Sequence, residues 1–445
     1  DREYPSIATD PKSRAVVAVW ASATRSDSGN SLRTLWISRS TDAGRQFSKP
    51  VAFREVPVYA FVSGAGKPGS KDKNVDDKPS RPPMTFSTHL LPRLVPAGDR
   101  LVLTWVEAVN GGPKAALYLS ISTDGGLHFS DPVNIAGDSA QRPGFVAINS
   151  STDGRILAAW LDNPPSKSAN GSKSGGTKVF AVQEKRDQSG FEQPVLLYDG
   201  PEGQGVCPCC DVSVAGDSDG HMYYAFRNNV DDIRDIWTGS FNQAKAIQPP
   251  IPLSRREWKF AGCPHDGPSM ILQNGTLSTA WMDAKDGKPR VFLTKVTSSQ
   301  MSSEKMTTQP LTAILEGAQS HIRLLDDGHG GIFAAWDQAE LKQNTHHEME
   351  SSETEPQKNR RGIVIAHKPA DSSRLRSRVN LIADPARLPR NPVMTMADGG
   401  IVVSWAEIGG DSGKTIVIQR VELNEMQLIE NEEEIQPLTS IETES

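Results

Sequence analysis

The stretch Leu119-Ser-Ile-Ser122-Thr-Asp124-Gly-Gly126-Leu-His-Phe129-Ser-Asp-Pro132-Val133 decides the fold. An alternating strand runs to Ser122. Asp124, Gly125 and Gly126 then supply a side-chain acceptor and positive-φ positions for a tight turn, and Phe129 leads into the next strand. The same order recurs as Ser40-Thr-Asp42-Ala-Gly44-Arg-Gln-Phe47-Ser-Lys-Pro50-Val51. Both fit S-x-D-x-G-x-x-F followed by Pro-Val. A decayed copy, Asp187-Gln-Ser-Gly190-Phe191 before Pro194-Val195, keeps the frame in a third place, so the chain reads as a repeat.

Alignment on the Trp that precedes each hairpin gives seven units, with cores Ala15 to Trp20, Arg100 to Trp105, Arg155 to Trp160, His221 to Phe226, Thr276 to Trp281, Gly331 to Trp336 and Gly400 to Trp405. Six of the nine tryptophans hold one repeat position, and Phe226 takes the seventh. A turn such as Asp153-Gly154, Asp219-Gly220, Asn274-Gly275 or Asp398-Gly399 precedes most cores. Before that turn lies a short first strand opened by Pro5, Pro92, Pro143, Pro268 or Pro392, with Cys210 and His321 replacing the proline in units four and six. Third strands follow each aromatic, and fourth strands often open on Pro, as at Pro50, Pro132, Pro194, Pro310 and Pro437. Four strands per unit predict an all-β fold, a single β-propeller domain over 1–445, with seven blades favoured and six as the alternative.

Composition agrees. The 445 residues are 37% hydrophobic and 6% aromatic, which suits sheets sharing single buried layers. A net charge of −6 without a basic block disfavours nucleic acid and anionic membrane surfaces. No run approaches the ~18 apolar residues of a membrane span. The chain opens on Asp1 rather than Met, read here as a processed start and an extracytoplasmic (periplasmic or secreted) protein. Insertions at 63–83, 163–176 and 342–361 have linker composition and are expected to be mobile. Within the last, His346-His347 is a weak metal candidate, and the acidic C-terminal segment 425–445 reads as solvated.

Departures from the repeat carry the functional signal. Glu107, Asp162, Asp283 and Glu407 recur two residues after the Trp, so a structural role outweighs catalysis for them. Unit four opens Cys207-Pro-Cys209-Cys210-Asp211 and unit five opens Cys263-Pro-His265-Asp266-Gly-Pro268, which puts every cysteine of the chain at adjacent entrances. First strands are innermost in a propeller, so these residues are expected to converge at the channel mouth. Three readings stay open for them. They are a disulfide between blades, a zinc or copper site of Cys207, Cys209, Cys210, Cys263 and His265, or a redox-active thiol pair. Other polar residues break the pattern at the same ring: His89, Arg93, Gln141-Arg142, His321, Arg390-Asn391, and on blade four Arg227 and Arg234-Asp235. With Asp211 and Asp266, the residues His89, Arg142, Arg227, His321 and Arg390 are the candidates for binding a small anionic ligand or glycan.

These turns and the whole chain resemble the Asp-box (BNR-repeat) sialidase-like propellers, and the Cys-Pro-Cys-Cys-Asp and Cys-Pro-His-Asp-Gly-Pro entrances resemble a bacterial branch of that superfamily. The resemblance implies that the Asp box is a peripheral fold element. It also implies that a true sialidase would carry three arginines, a Tyr nucleophile backed by Glu, an Asp acid/base and an Arg-Ile-Pro or Arg-Leu-Pro motif before the first box. Here that entrance reads Tyr4-Pro5-Ser6. Arg142, Arg227 and Arg390 are the available clamp, with Tyr223 or Tyr224 nearby, and no catalytic residue is assigned. A non-hydrolytic propeller binding a ligand, metal or partner protein at a Cys/His/Arg face is therefore preferred over a glycoside hydrolase or a scaffold subunit of a larger assembly.

Overall fold

A computed structural model describes residues 4–25, 31–57, 91–110, 114–163, 176–201, 205–242, 247–298, 301, 306, 308–312, 317–339, 361–383, 386–409 and 413–429. Seven antiparallel sheets follow one another in sequence order, as the seven-unit repeat predicts. Blade one holds β1 (Ser6–Thr9), β2 (Val16–Arg25), β3 (Ser31–Ser40) and β4 (Val51–Pro57). Blade two holds β5 (Arg93–Ala97), β6 (Arg100–Ala108), β7 (Ala115–Ser122) and β8 (Val133–Asn134). Blade three holds β9 (Pro143–Ser150), β10 (Ile156–Asp162), β11 (Lys178–Gln183) and β12 (Val195–Tyr198). Blade four adds a short strand, with β13 (Gly205–Val206) and β14 (Ser213–Gly216) both pairing β15 (His221–Asn229), followed by β16 (Ile236–Asn242) and β17 (Ile251–Pro252). Blade five holds β18 (Ser269–Gln273), β19 (Thr276–Asp283), β20 (Arg290–Thr297) and β21 (Thr308–Pro310). Blade six holds β22 (Gln319–Asp326), β23 (Ile332–Ala339), β24 (Arg361–Lys368) and β25 (Ser377–Ile382), and blade seven holds β26 (Arg387–Ala397), β27 (Gly400–Gly409) and β28 (Lys414–Glu422).

The repeated aromatic has a packing reason. Trp105 sits among the blade-one residues Val17, Val19 and Leu35, and Trp160 among the blade-two residues Val102, Val106 and Leu117. Phe226, Trp281, Trp336 and Trp405 likewise pack into the apolar layer shared with the preceding blade. Each is a key between two sheets. Burying roughly 200 Å² of aromatic surface gives about 5 kcal/mol per key on an area scale. Trp20 lies against Val402 and Ile418 of blade seven, so the same device closes the ring. At the inner edge, hydroxyls stitch neighbouring first strands. The Leu94 amide donates to Ser6 Oγ at 2.8 Å, Met270 to Ser213 Oγ at 2.9 Å, Leu324 to Ser269 Oγ at 2.9 Å and Thr9 to Thr395 Oγ1 at 3.0 Å.

The two S-x-D-x-G-x-x-F turns share one hydrogen-bond pattern at the blade periphery. Ser40 Oγ donates to Asp42 Oδ1 and accepts from the Gly44 amide, while Asp42 Oδ1 accepts the Arg45 and Gln46 amides. Ser122, Asp124, Gly126, Leu127 and His128 repeat it atom for atom. Asp124 is held well below the usual carboxylate range, chiefly by the His128 amide. Gly44 has φ +86°, and a Cβ there would fall inside van der Waals contact with Val402 Cγ2 of blade seven. Gly44→Ala is therefore expected to cost about 1–3 kcal/mol through strain and overpacking of a stiff neighbour, read as a lower urea midpoint at unchanged slope.

Insertion 63–83 lies outside the described residues, as do 164–175, 342–360 and 430–445, and with them His346-His347 and the strand expected at Pro437. Arg361, assigned to the third insertion from composition, opens β24 instead. Gln427–Leu428 (β29), within the segment read as solvated, pairs the outer edge of blade six through Ser377 and Arg378 of β25. No helix among the described residues is long and apolar enough to cross a membrane.

Candidate metal and ligand site at the channel mouth

The innermost strands β1, β5, β9, β14, β18, β22 and β26 surround a channel of about 580 Å³. At the strand entrances four non-glycine residues take left-handed backbone conformations: Phe145 (φ 51°), His265 (φ 55°), His321 (φ 55°) and Asn391 (φ 53°). Three of them coincide with register breaks between first and second strands on β9, β22 and β26. Bulges of this kind re-aim side chains, and each left-handed residue costs on the order of 1 kcal/mol. That cost recurs around one rim of the channel.

Cys207 follows β13, whose pairing with Asn228 and Asn229 carries the chain above the blade before it turns down into β14. The loop from β17 to β18 folds back over the same blade, with the Arg234 amide donating to Trp258 O and the Phe260 amide to Asp232 O. Gly267 then passes so close to the Asp211 backbone that a Cβ would overlap it. This approach brings the two Cys-Pro entrances together. Cys207 Sγ lies 3.5 Å from both Cys209 Sγ and Cys210 Sγ. Donor atoms of Cys207, Cys209 and Cys210 are all within 4.8 Å of one another, and so are those of Cys209, Cys263 and His265. All four cysteines are free thiols, so the interblade disulfide weighed from the sequence is not formed here.

Cys207 is fully buried, Cys210 and Cys209 nearly so, and Cys263 is exposed. Arg234 Nη1 donates to Cys207 Sγ at 3.3 Å. Hydrogen bonds from the Cys209, Cys210 and Cys263 thiols hold Cys207 well below the ordinary thiol range, with a smaller contribution from the Arg227 charge and against the opposing effect of burial. Cys209 is pushed up mainly by its bond to Cys207, Cys210 by burial, and Cys263 by its bond to Cys207.

Asp211, next in sequence, accepts Arg93 Nη2 and Arg323 Nη2 on the same Oδ2, each at 2.8 Å. Burial opposes its charge, yet Arg93 and Arg323 outweigh burial and keep the carboxyl below the usual range. A narrow pocket joins the two groups, lined by Arg93, Asp211 and Arg323 on one side and Cys209 and His265 on the other.

Asp266, His321 and Arg390 form a separate network through a residue the sequence reading did not select. Asp337 accepts His321 Nδ1 at 2.6 Å and Arg390 Nη1 at 2.8 Å, while Asp266 Oδ2 accepts the His321 amide at 2.6 Å. Burial works against both charges. Asp337 nevertheless holds His321 above the ordinary histidine value, and His321 with Arg390 holds Asp337 below the ordinary carboxylate value. A signal for Asp337 existed, because the position after the aromatic is apolar in most blades and Asp only here.

The remaining candidates do not converge on the pocket. Arg227 is 1% exposed and gives its three guanidinium nitrogens to the carbonyls of Asp266, Arg234 and Met282. Arg142 is buried at the entrance of β9, where Asp162 accepts its amide and that of Gln141. His89 lies outside the described residues. Glu107 and Glu407 accept the indole N–H of Trp105 and Trp405, Glu107 also pairs with Arg54 of blade one, and Asp283 accepts Arg256 Nε, so these recurring carboxylates hold the blades and their connections. Tyr223 donates to Asp217, and Tyr224 is fully buried between sheets.

No family model matches the chain, and no curated protein matches it. Among solved structures it is similar to the NanB sialidase from Streptococcus pneumoniae at 10% identity and a TM-score of 0.42, over 95% of this chain and 68% of that one. It is similar to polysaccharide lyase Uly1 at 10% identity and a TM-score of 0.46, over 94% and 89% of the two chains. It is also similar to the Hadza microbial sialidase Hz136 at 12% identity and a TM-score of 0.42, over 88% and 74%. Likeness at this level transfers no residue role and no substrate.

Proposed function

We propose that the chain is a metal-binding β-propeller that holds a soft ion, copper(I) ahead of zinc, through Cys207, Cys209, Cys210, Cys263 and His265 at its channel mouth. The observation that carries this reading is the meeting of four sulfurs and one imidazole from two adjacent blades, in two sets of three whose donor atoms lie within 4.8 Å of one another. Around an ion with metal–sulfur bonds of about 2.3 Å, sulfurs sit roughly 3.8–4.0 Å apart, so the 3.5 Å spacings need only a small outward adjustment. Structural zinc requires four ligands in a tetrahedron, whereas among the described residues these donors group in threes. Thiolate-rich sets favour copper(I). Arg234 and Arg227 supply positive charge beside sulfurs that would otherwise be buried anions.

The test is equilibrium titration of the reduced, metal-free protein with copper(I) against a chromophoric chelator, and separately with zinc, alongside a thiol count. Tight copper(I) binding that protects the thiols from alkylation is the expected result. Failure to compete for either ion, or recovery of the native protein with its cysteines oxidised, sinks the reading.

A second reading concerns the other wall of the pocket. Arg93 and Arg323 each commit one Nη2 to Asp211 and also line the channel of about 580 Å³, which supports a small carboxylate-bearing ligand or glycan in the channel beside the metal. Calorimetry with a sialic acid monosaccharide on wild type and Arg323→Ala is expected to show binding lost in the variant. Equal heats in the two proteins would remove this reading, and turnover of a fluorogenic sialoside would convert it to hydrolysis.

A further inference from the structure

We propose that the sulfur cluster is two overlapping metal positions that share Cys209, an outer one for capture and an inner one for retention, with copper(I) passing between them by ligand exchange. This rests on the metal-binding reading above. The five donors fall into two tight sets, the atoms of each lying within 4.8 Å of one another. They divide into Cys207, Cys209 and Cys210 on one side and Cys209, Cys263 and His265 on the other, with only Cys209 in both sets.

Burial separates the sets. Cys207 is 0% and Cys210 2% exposed, whereas Cys263 is an exposed thiol. Cys209 and His265 both line the narrow pocket at the mouth, so the outer set opens to solvent. A hydrated or chelated ion that entered the buried inner set directly would have to shed its ligands before gaining new ones. The outer set removes that difficulty. An ion held by Cys209, Cys263 and His265 keeps its Cys209 bond while the bonds to Cys263 sulfur and His265 nitrogen break and bonds to Cys207 and Cys210 sulfur form. Copper stays in the +1 state throughout, and the protons displaced from the inner thiols leave to water or to the vacated Cys263 and His265.

Two further observations fit the inner position as the resting place. Arg234 donates to Cys207, the most buried sulfur, which places a cation in direct contact with the inner set. His265 is held in a left-handed conformation (φ 55°) ahead of Gly267, whose contact with the Asp211 backbone fixes the outer ligands over Cys209.

The experiment uses the full chain, reduced and metal-free, with copper(I) supplied as its bicinchoninate complex and followed by stopped-flow absorbance and by equilibrium competition. Wild type, Cys263→Ser and Cys207→Ser are compared. Cys263→Ser is expected to keep tight copper(I) binding but to load and release at least about tenfold more slowly, a barrier rise of about 1.4 kcal/mol. Cys207→Ser is expected to keep fast loading and to release at least about tenfold faster. Loss of all tight binding in Cys263→Ser would show one composite centre and overturn the proposal, as would wild-type rates in that variant. If wild type itself fails to take copper from the chelator, the metal-binding reading fails first, so the two failures are distinguishable.

Discussion

Replacing Cys209 by Ser is expected to abolish tight metal binding, because this is the one side chain that belongs to both three-donor sets. Substitution of an outer hydrogen-bonding partner of a metal ligand already lowers affinity by about 10–100-fold, so loss of the shared ligand itself should exceed roughly 100-fold. The contrast with Cys263→Ser carries the information, since that variant retains an intact buried set. Serine is nearly isosteric with cysteine, but Cys209 is buried, so exchanging thiol for hydroxyl should cost the apo protein about 1–3 kcal/mol. The measurement is competition titration together with urea unfolding of both apo proteins. Tight copper(I) binding in Cys209→Ser would refute the shared-ligand geometry.

Most of the fold was legible in the sequence because a propeller repeats its physics. One aromatic per unit is needed to fill the gap between sheets, and Asp42 and Asp124 are needed to close two turns against the preceding blade, so these residues recur at a readable interval. The closeness of the cysteines was legible for the opposite reason. Cys207, Cys209, Cys210 and Cys263 interrupt the repeat at equivalent places in adjacent units, and equivalence in a ring implies proximity.

What escaped the reading depends on side-chain direction. Arg227 was selected because it breaks the pattern, yet its guanidinium turns into the wall and holds three carbonyls, which no spacing reveals. Asp337 breaks the pattern at the same repeat position and gathers His321 and Arg390. Arg323 carries no sequence signal of its own, because what sends it to Asp211 is the backbone bulge at His321. β29 was hidden within an acidic segment because a two-residue edge strand needs backbone pairing and little hydrophobic pattern.

Asp337→Ala is expected to be the most destabilising single change at the rim, by about 3 kcal/mol, because it leaves a buried imidazolium and a largely buried guanidinium without their carboxylate. The same pair predicts the pH dependence. His321 is raised above its ordinary value, against burial, by Asp337, so its contribution is complete below the unfolded histidine pKa of about 6.5 and is lost as pH rises through the higher folded value. Asp337 is depressed, against burial, by His321 and Arg390, so its contribution is present above the ordinary carboxylate value and disappears as pH falls through the lower folded one. The two windows overlap in mildly acidic solution, where the pair should stabilise most. Urea unfolding across that range should show wild-type stability falling toward alkaline pH with a slope that Asp337→Asn flattens, because the neutral amide no longer favours the charged imidazole. A slope unchanged in Asp337→Asn would mean that His321 does not titrate with folding. A loss under about 1 kcal/mol in Asp337→Ala would mean that water or Asp266 replaces the missing carboxylate at no real cost.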